Sequence, residues 1–368
     1  MDLTKLIASR MADIDSSGIR KVFDLAKSIK NPINLSIGQP DFEVPELVKA
    51  KAIQAIEEGR NSYTLTQGIE ELRQAVLAVE KKRTGIKHDS VLITSGVSGG
   101  LLLAFMALIN PGDRVIIPDP YFVMYKHLCR LLGGKPLYVD TYPDFQLTVE
   151  RLEAAGAERG KILLLNSPNN PTGQVMPAAN LQDIAKWARD NGIFIITDEI
   201  YCVFVYDEEF ASIARYTDNL LLLNGFSKCS AMTGWRLGYA IGPGELITEM
   251  TKLQQFSFVC APSIAQYAGL AALSVDPSPY VNAYKAKRDL VYGGLRRKFE
   301  LPKPQGAFYA FARAPEGDGD AFAKKAIAHG CLIIPGNVFS EKKSHFRVSF
   351  AAEESAIEAG TRLLCSLA

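Results

Sequence analysis

Lys228 has the most distinctive chemical setting in this chain of 368 residues, because it follows an apolar, strand-like run at Leu220–Phe226. An ammonium group at the end of a buried strand is partly desolvated, and desolvation lowers a lysine pKa toward values at which the neutral amine attacks aldehydes. Most lysines at strand ends simply extend into water. Here Ser227 and Arg236 lie nearby and supply further donors for an anion, which favours the nucleophile.

A second segment suits the binding of a phosphate group. The run Thr94–Gly100, TSGVSGG, follows a strand-like segment and opens a helical one. Its small residues let the backbone approach an anion, and a helix N-terminus offers free N–H groups and a partial positive charge. The run matches neither GxGxxG nor the P-loop pattern, so it does not indicate a dinucleotide or a nucleoside triphosphate. A tight strand-to-helix turn would look the same, and both interpretations stay open on this segment alone.

Two further segments follow apolar runs. Asn166–Gly173, NSPNNPTG, combines prolines that fix an irregular backbone with amide side chains that can donate hydrogen bonds, and we expect a site there rather than a plain turn. In Thr197–Tyr201, TDEIY, Asp198 is a carboxylate at a buried strand end and needs a cationic partner, in a site or in a structural ion pair. An amine nucleophile, a phosphate loop and such an aspartate are together what pyridoxal phosphate requires.

The elements that position these residues alternate between two patterns. Apolar runs rich in β-branched residues predict strands at Val91–Thr94, Arg114–Pro118, Lys135–Asp140, Lys161–Asn166, Phe194–Asp198 and Leu220–Phe226. Amphipathic stretches between them predict helices, among them Ser98–Ile109, Tyr121–Leu132 and Pro177–Asp190. This alternation predicts an α/β fold with a large, doubly wound, mostly parallel sheet, which binds ligands at the carboxyl ends of its strands.

The pattern changes after about residue 260. A long helix is predicted at Tyr280–Lys298 and a closing helix at Glu353–Leu367, with short strands at Ala307–Ala312, Cys331–Pro335 and Phe346–Phe350. These elements predict a smaller α+β domain. We therefore expect an N-terminal segment (1–35) that packs with the small domain, a large domain (36–260) and a small C-terminal domain (261–368).

Composition excludes several classes of function. Lys and Arg number 41 against 40 Asp and Glu, a formal net charge of +1, which does not favour nucleic-acid or membrane binding. The six cysteines and four histidines show no paired spacing, so we expect neither a disulfide scaffold nor a metal site. The N-terminus lacks the apolar core of a signal peptide, and we expect a cytoplasmic protein. Ser340–Lys343 matches SxxK, but the companion SDN and KTG motifs of serine acyl-transfer enzymes are absent.

Several motifs in order give the chain a family resemblance. NSPNNPTG, TDEIY, SK followed by MTGWRLG, and the late FRVSF resemble class I/II aminotransferases, which are pyridoxal-phosphate enzymes of fold type I in the aspartate aminotransferase superfamily. The early LSIGQPDF and NSYTLTQG belong to the same resemblance, which therefore extends over nearly the whole chain.

The resemblance implies a role for each residue around the cofactor ring. Lys228 would form the aldimine with pyridoxal 5'-phosphate and then move the proton between the substrate and the cofactor. Asp198 would pair with the pyridine nitrogen. Asn170 and Tyr201 would donate hydrogen bonds to the phenolic oxygen and so lower the pKa of the imine. Phe122 would stack on the face of the ring.

The resemblance also implies anion sites at both ends of the ligand. The phosphate would be bound by Val97, Ser98, Ser227 and Arg236. Tyr63 would reach the same phosphate from a partner subunit, so a homodimer is part of the prediction. The substrate α-carboxylate would bind to Arg347 through a bidentate pair, with help from Gly38 and Asn170.

The implied reaction is a ping-pong exchange of an amino group between an L-amino acid and a 2-oxo acid, with glutamate and 2-oxoglutarate as the expected pair on one side. A subgroup specific for dicarboxylates has a lysine where this chain has Ser98, which disfavours an aspartate-specific enzyme. Arg20 or Lys21 could still approach a distal carboxylate. A carbon–sulfur β-lyase would use the same residues and stays an alternative, whereas a non-catalytic regulator would need a DNA-binding module in addition.

Overall fold

The computed structural model describes residues 3–15, 18 and 29–368. The strands of this part of the chain are β1 Ile33–Asn34, β2 Ser90–Thr94, β3 Arg114–Asp119, β4 Lys135–Asp140, β5 Ile162–Asn166, β6 Phe194–Asp198, β7 Leu220–Gly225, β8 Gly238–Gly242, β9 Tyr309–Arg313, β10 Cys331–Leu332, β11 Ile334–Pro335 and β12 His345–Ser349. The α-helices are α1 Glu46–Glu57, α2 Glu70–Thr84, α3 Gly96–Leu108, α4 Met124–Leu131, α5 Val149–Ala154, α6 Ala178–Asp190, α7 Gly244–Gln255, α8 Ser263–Ala272, α9 Ser278–Leu295, α10 Gly319–Ala328 and α11 Glu354–Leu367.

The largest sheet has seven strands in the order β2-β8-β7-β6-β5-β3-β4. All of them run parallel except β8, which is antiparallel to both neighbours. One apolar core lies between the sheet and helices α3, α4 and α7 and continues into β9, β12, α9 and α11. A second lies between the sheet and helices α2, α6 and α8. Since β5 and β7 are buried along their whole length, their continuous apolar runs face helices on both sides. The predicted doubly wound α/β fold is confirmed.

The predicted pattern of elements needs correction at three places. The sequence analysis did not predict β8, because its apolar run is short and lies between glycines; these glycines permit the close backbone approach of Gly225 to Gly238. The run Cys331–Pro335, predicted as one strand, is divided into β10 and β11, which belong to different sheets. The helix predicted from Tyr121 begins only at Met124, because residues 120–123 form a loop.

The remaining strands form the smaller unit. Strands β11, β12 and β9 make an antiparallel sheet, and β1 pairs in parallel with β10, which connects residues 33–34 to this unit. The predicted packing of the whole segment 1–35 stays a prediction. Helix α8 packs against α1, so we propose that the large unit extends through α8 rather than ending at residue 260. Among the described residues, no helix combines the length and the apolar character needed to cross a membrane.

Candidate active site

A cavity of about 370 Å³ opens at the carboxyl ends of β5, β6 and β7, beneath β9 and β12. This is the edge at which parallel α/β sheets bind their ligands. The structure brings together there all but one of the residues predicted for the site, namely Gly38, Val97, Ser98, Phe122, Asn170, Asp198, Tyr201, Ser227, Lys228, Arg236 and Arg347. Residues up to 310 positions apart along the sequence, Ile37 and Arg347, therefore share one cavity.

Lys228 lies just beyond β7 and is half-buried in the wall of the cavity. Its Nζ donates a hydrogen bond to the carbonyl oxygen of Gly38 at 2.5 Å. Burial and the nearby cationic Arg347 lower the pKa of Lys228 to about 8, against the opposing attraction of Asp198. The amine is therefore deprotonated far more readily than that of a solvent-exposed lysine, as a nucleophile or a base requires.

Asp198 is the last residue of β6 and is only 5% exposed. Its carboxylate accepts hydrogen bonds from the hydroxyl of Tyr125 at 2.9 Å and from the backbone N–H of Ile200 at 3.2 Å. Burial raises its pKa to about 6, although both hydrogen bonds and Lys228 favour the anion. These hydrogen-bond donors are neutral groups, so the carboxylate is suited to a cationic atom of a ligand in the cavity.

The start of α3 and the side chain of Arg236 form an anion-binding corner. The N-cap residue Ser95 makes no side-chain capping bond, so the first N–H groups of the helix are available. Arg236 lies over this helix start, with hydrogen bonds to the carbonyl oxygens of Thr233 at 3.0 Å and Ser95 at 3.4 Å. At Gly96, where φ is +72°, a Cβ atom would lie 2.5 Å from Nη2 of Arg236, so only glycine leaves room for the guanidinium.

Arg347 is a buried cation whose partners are neutral. It is only 1% exposed, and its guanidinium donates to the side-chain oxygen of Asn170 at 2.9 Å and to the backbone oxygen of Ser36 at 2.8 Å. Its Nε has no hydrogen-bond partner among the residues that the structure describes. Because burial disfavours the cation, the pKa of Arg347 lies below its usual value. An incoming carboxylate would satisfy both the charge and the unused donor.

Two aromatic side chains complete the predicted set inside the cavity. Tyr201 is buried, and its hydroxyl lies 2.8 Å from the hydroxyl of Tyr309. Phe122 lines the cavity at the loop before α4, with its ring edge-on to Tyr125 and the ring centroids 5.7 Å apart. Tyr201 and Phe122 therefore form part of the wall of the cavity.

Tyr125 and Tyr309 were missed by the sequence analysis. Tyr125 lies on α4 and contacts Asp198, whereas Tyr309 lies on β9 and contacts Tyr201. In the sequence both look like ordinary core residues of an amphipathic helix and a buried strand. A usable signal was the phenol hydroxyl itself, because a buried tyrosine almost always has a polar partner.

The remaining predictions lie outside the cavity. Tyr63 is 82% exposed on the surface of its own chain. Its predicted role in a neighbouring subunit is compatible with that exposure and stays a prediction. Arg20 and Lys21, considered for a distal carboxylate, lie outside the described residues.

Comparison with known proteins identifies the family. Residues 30–360 match the family model described as aminotransferase class I and II. The chain belongs to this family. A probable aspartate aminotransferase of Methanocaldococcus jannaschii is 38% identical to this aminotransferase, over 96% of this chain and 97% of that protein. Aromatic-amino-acid aminotransferase 2 of Thermococcus litoralis is 35% identical, over 96% and 95% respectively.

Solved structures give the same result for the fold. The crystal structure of an aspartate aminotransferase from Thermotoga maritima superposes on this aminotransferase with a TM-score of 0.92 at 33% identity, covering 98% of this chain and 99% of that one. The aspartate aminotransferase of Thermus thermophilus with maleate superposes with a TM-score of 0.93 at 31% identity, over the same shares. The expected fold type I is confirmed, and the family is one whose members depend on pyridoxal phosphate.

Proposed function

We propose that this aminotransferase binds pyridoxal 5'-phosphate in the cavity and exchanges an amino group between an L-amino acid and a 2-oxo acid there. One observation carries the proposal: three unlike features share the cavity. They are the half-buried amine of Lys228, the buried carboxylate of Asp198 with neutral donors, and the anion-binding corner at Arg236. An aldehyde, a pyridine nitrogen and a phosphate on one flat molecule fit these three features in turn.

The residues present would hold each part of this cofactor. Lys228 would bind the aldehyde carbon through Nζ, and Asp198 would pair with the protonated ring nitrogen. Asn170 and Tyr201 would donate to the phenolic oxygen, and Phe122 would lie against the ring. The phosphate would be bound at the start of α3 by Val97, Ser98, Ser227 and Arg236. When bound, the cofactor supplies an electron sink that makes the substrate α-proton acidic.

Lys228 is also the base that we propose for proton transfer. Its Nζ lies at the carboxyl end of β7 and, as a free amine, would accept the proton from the substrate α-carbon and hold it for return. With a pKa of about 8, about a tenth of the amine is neutral at pH 7 even before a ligand binds. An ordinary lysine would be neutral only about once in several thousand molecules. Burial therefore adapts Lys228 to this task.

Arg347 would orient the substrate through its α-carboxylate. Its guanidinium is fixed by Asn170 and Ser36 and packs at 4.5 Å against the ring centroids of Tyr309 and Phe339. A planar, immobile guanidinium binds a carboxylate with little loss of conformational freedom. The substrate α-carbon would then lie between Arg347 and Lys228.

We propose a donor with a neutral or apolar side chain, with glutamate and 2-oxoglutarate as the pair on the other side. Among the described residues that line the cavity, the cations are Lys228, Arg236 and Arg347, and each already has a proposed partner. Aspartate is the second candidate, because several relatives carry the name aspartate aminotransferase. A panel of amino donors, repeated with several oxo acids, decides between the two, and a strong preference for aspartate would contradict the first.

A homodimer is the assembly that we propose. Several large apolar side chains are exposed: Leu47, Ile53, Ile56, Leu65 and Phe256. They lie on adjoining elements, because Gln254 of α7 donates to the backbone oxygen of Thr66 and Ser263 of α8 donates to that of Arg60. Exposed apolar side chains on adjoining elements favour association, and Tyr63 lies in the same segment, residues 60–66.

The cofactor assignment is tested on Lys228 directly. Borohydride reduction of the purified protein followed by peptide mapping should label Lys228. Lys228→Ala should abolish turnover and still bind the cofactor through the phosphate corner, whereas Lys161→Ala, a surface control, should retain full activity. Labelling of another side chain, or an active Lys228→Ala enzyme, would refute the proposal.

A further inference from the structure

Tyr309 contacts both functional halves of the cavity. It is completely buried on β9 and lines the cavity. Its hydroxyl oxygen lies 2.8 Å from that of Tyr201, and its ring centroid lies 4.5 Å from the guanidinium carbon of Arg347. Tyr201 belongs to the proposed cofactor side of the site and Arg347 to the proposed substrate side, so Tyr309 lies between the two.

The direction of the hydrogen bond between the two phenols matters. Each hydroxyl has one proton to donate. If Tyr201 donated to Tyr309, it would have no proton left for the cavity. If Tyr309 donates, the proton of Tyr201 is free for the phenolic oxygen of the cofactor.

Nearby charges favour donation by Tyr309. Burial raises the pKa of both phenols, and the cation of Arg347 is the strongest opposing influence on Tyr309. Arg347 also opposes the rise for Tyr201, but there the hydrogen bond to Tyr309 and the anion of Asp198 both act in the same direction as burial. The guanidinium of Arg347 lies 4.5 Å from the centroid of the Tyr309 ring, and a cation this close makes the hydroxyl of that phenol the stronger donor.

The surroundings of Tyr309 leave its hydroxyl little freedom. A Cβ atom at Gly38 would lie only 3.0 Å from the Tyr309 hydroxyl oxygen, so the backbone at Gly38 abuts it. The carbonyl oxygen of the same glycine accepts the hydrogen bond from Lys228. The ring of Tyr309 is also fixed, because it packs against the guanidinium of Arg347 and against the rings of Phe308 and Tyr201. Tyr309 can therefore hold a neighbouring group in place.

We infer that Tyr309 is a positioning residue: its hydroxyl directs the proton of Tyr201 toward the cofactor, and its ring holds Arg347 in place for the substrate carboxylate. The inference rests on the proposed function, because it assumes the cofactor in the cavity. It predicts separate consequences for the hydroxyl and the ring. Loss of the hydroxyl changes the acid–base behaviour of the bound cofactor, whereas loss of the ring changes the binding of the carboxylate.

Tyr309→Phe tests the hydroxyl. A proton donated to the phenolic oxygen stabilises the deprotonated form of the bound cofactor, so losing the orienting bond should raise the pH midpoint of its visible absorbance band. We expect a rise of about half a unit, which is a threefold change in the proton-dissociation constant. Tyr284→Phe is the matched control, because Tyr284 is equally buried and donates a bond of 2.8 Å to Asp41 outside the cavity. Its midpoint should equal that of the wild type.

A double variant tests whether the hydroxyl acts through Tyr201. In a Tyr201→Phe background, Tyr309→Phe should leave the midpoint where Tyr201→Phe alone puts it, because there is no longer a proton to direct. Additive shifts in the double variant would overturn the inference. An unchanged midpoint in Tyr309→Phe itself would overturn it as well.

The ring is tested by the KM for the amino donor. Tyr309→Phe keeps the ring over Arg347, so its KM should stay within about twofold of the wild type, whereas Tyr309→Leu should raise KM about tenfold. An equal KM in the two variants would refute the role of the ring; if Tyr309→Leu does not fold, a large KM change in Tyr309→Phe would refute it instead.

A wild-type protein without a visible band and without a labelled Lys228 would overturn the proposed function, and this inference with it. A normal wild-type band with no response to Tyr309→Phe overturns the inference alone.

Discussion

Arg347 is a buried cation without a carboxylate partner among the described residues, and this indicates a binding site for an anion. A buried guanidinium normally has a carboxylate partner, because an uncompensated charge in the interior costs several kcal/mol. Here its partners are an amide oxygen and a backbone oxygen, and its Nε is unused. The substrate carboxylate is the missing anion in our proposal.

Arg347→Lys should therefore weaken substrate binding more than it slows the chemical step. Lysine keeps the charge and loses the planar fork, so we expect KM for the amino donor to rise about 10- to 100-fold, with a smaller change in kcat. Steady-state kinetics with a single donor measure both constants. Arg313→Lys, at an exposed position of the paired strand β9, is the control and should leave KM unchanged. Equal loss in both variants would speak against carboxylate binding by Arg347.

At the scale of the element, the start of α3 depends on Gly96. Its φ of +72° favours glycine, and a Cβ atom there would displace the end of the Arg236 side chain. Gly59 at the end of α1 has the same φ of +72°, but a Cβ atom there would meet nothing within 4 Å. Substitution of Gly96 and of Gly59 therefore distinguishes the effect of backbone strain, which both positions share, from the displacement of Arg236, which occurs only at Gly96.

Gly96→Ala should weaken cofactor binding, whereas Gly59→Ala should not. Both substitutions strain the backbone by about 1 kcal/mol and should lower the melting temperature similarly. Because only Gly96→Ala displaces Arg236, we expect its dissociation constant for pyridoxal phosphate to rise about tenfold or more. Absorbance titration of the cofactor-free proteins measures this constant. Equal affinities in the two variants would exclude a phosphate site at this corner.

A buried polar network joins α2 to the ends of β6 and β8. Arg83 contacts Glu80 at 2.5 Å and Glu199 at 3.5 Å, while Tyr239 donates to Glu80 at 2.6 Å and Ser212 donates to Glu199 at 2.6 Å. Burial raises the pKa of Glu199 to about 7, with Arg83 opposing and Glu80 adding to the rise. The guanidinium of Arg83 thus contacts two carboxylates, and one of them belongs to Glu199, the residue that follows Asp198.

This network predicts a pH dependence of stability in the cofactor-free protein. The folded-state pKa of Glu199 lies above the unfolded value near 4.5, so the folded state binds the proton more tightly. The contribution of Glu199 to the free energy of unfolding is full below about pH 4.5 and is lost as the pH rises to about 7. Between pH 6 and pH 7.5 the free energy of unfolding should fall by about 1 kcal/mol on this account. Urea unfolding of Glu199→Gln should show a smaller fall, and the exposed control Glu209→Gln should behave like the wild type.

At the scale of the whole molecule, the cavity needs both units of the chain. Lys228 and Asp198 lie at the edge of the large sheet, while Arg347 and Tyr309 come from the small antiparallel sheet. Tyr63 would add a second chain to the same site in the proposed homodimer. Tyr63 is 82% exposed on its own chain and is therefore accessible to a partner subunit.

Mixed dimers test this arrangement. Lys228→Ala and Tyr63→Phe chains should each be impaired alone, and refolded together they should recover about a quarter of the wild-type activity. Half of the dimers would then be mixed. In each mixed dimer one of the two sites is intact, because the Tyr63→Phe chain supplies Lys228 and the Lys228→Ala chain supplies Tyr63. If Tyr63 acts within its own chain, or if the protein is a monomer, mixing restores nothing. Sedimentation of the wild type distinguishes these last two cases.

The local sequence by itself determined the chemistry and most of the large unit. Lys228, Asp198 and the run around Gly96 all lie at or just after the ends of apolar strands, and the ends of parallel strands meet at one edge whatever the details of packing. The six predicted strands of the large sheet are therefore found close to their predicted limits. Local pattern sufficed because burial on both faces leaves a continuous apolar run in the sequence.

Only the tertiary structure decided the partners of these residues. Tyr201 and Tyr309 are 108 residues apart, and Arg347 and Asn170 are 177 apart; no local pattern pairs them. The same reason explains β8 and the division of Cys331–Pro335, since a short strand acquires its sheet and direction from neighbours distant in sequence. The side-chain types thus specify which reactions are possible, and long-range packing specifies which groups meet to carry them out.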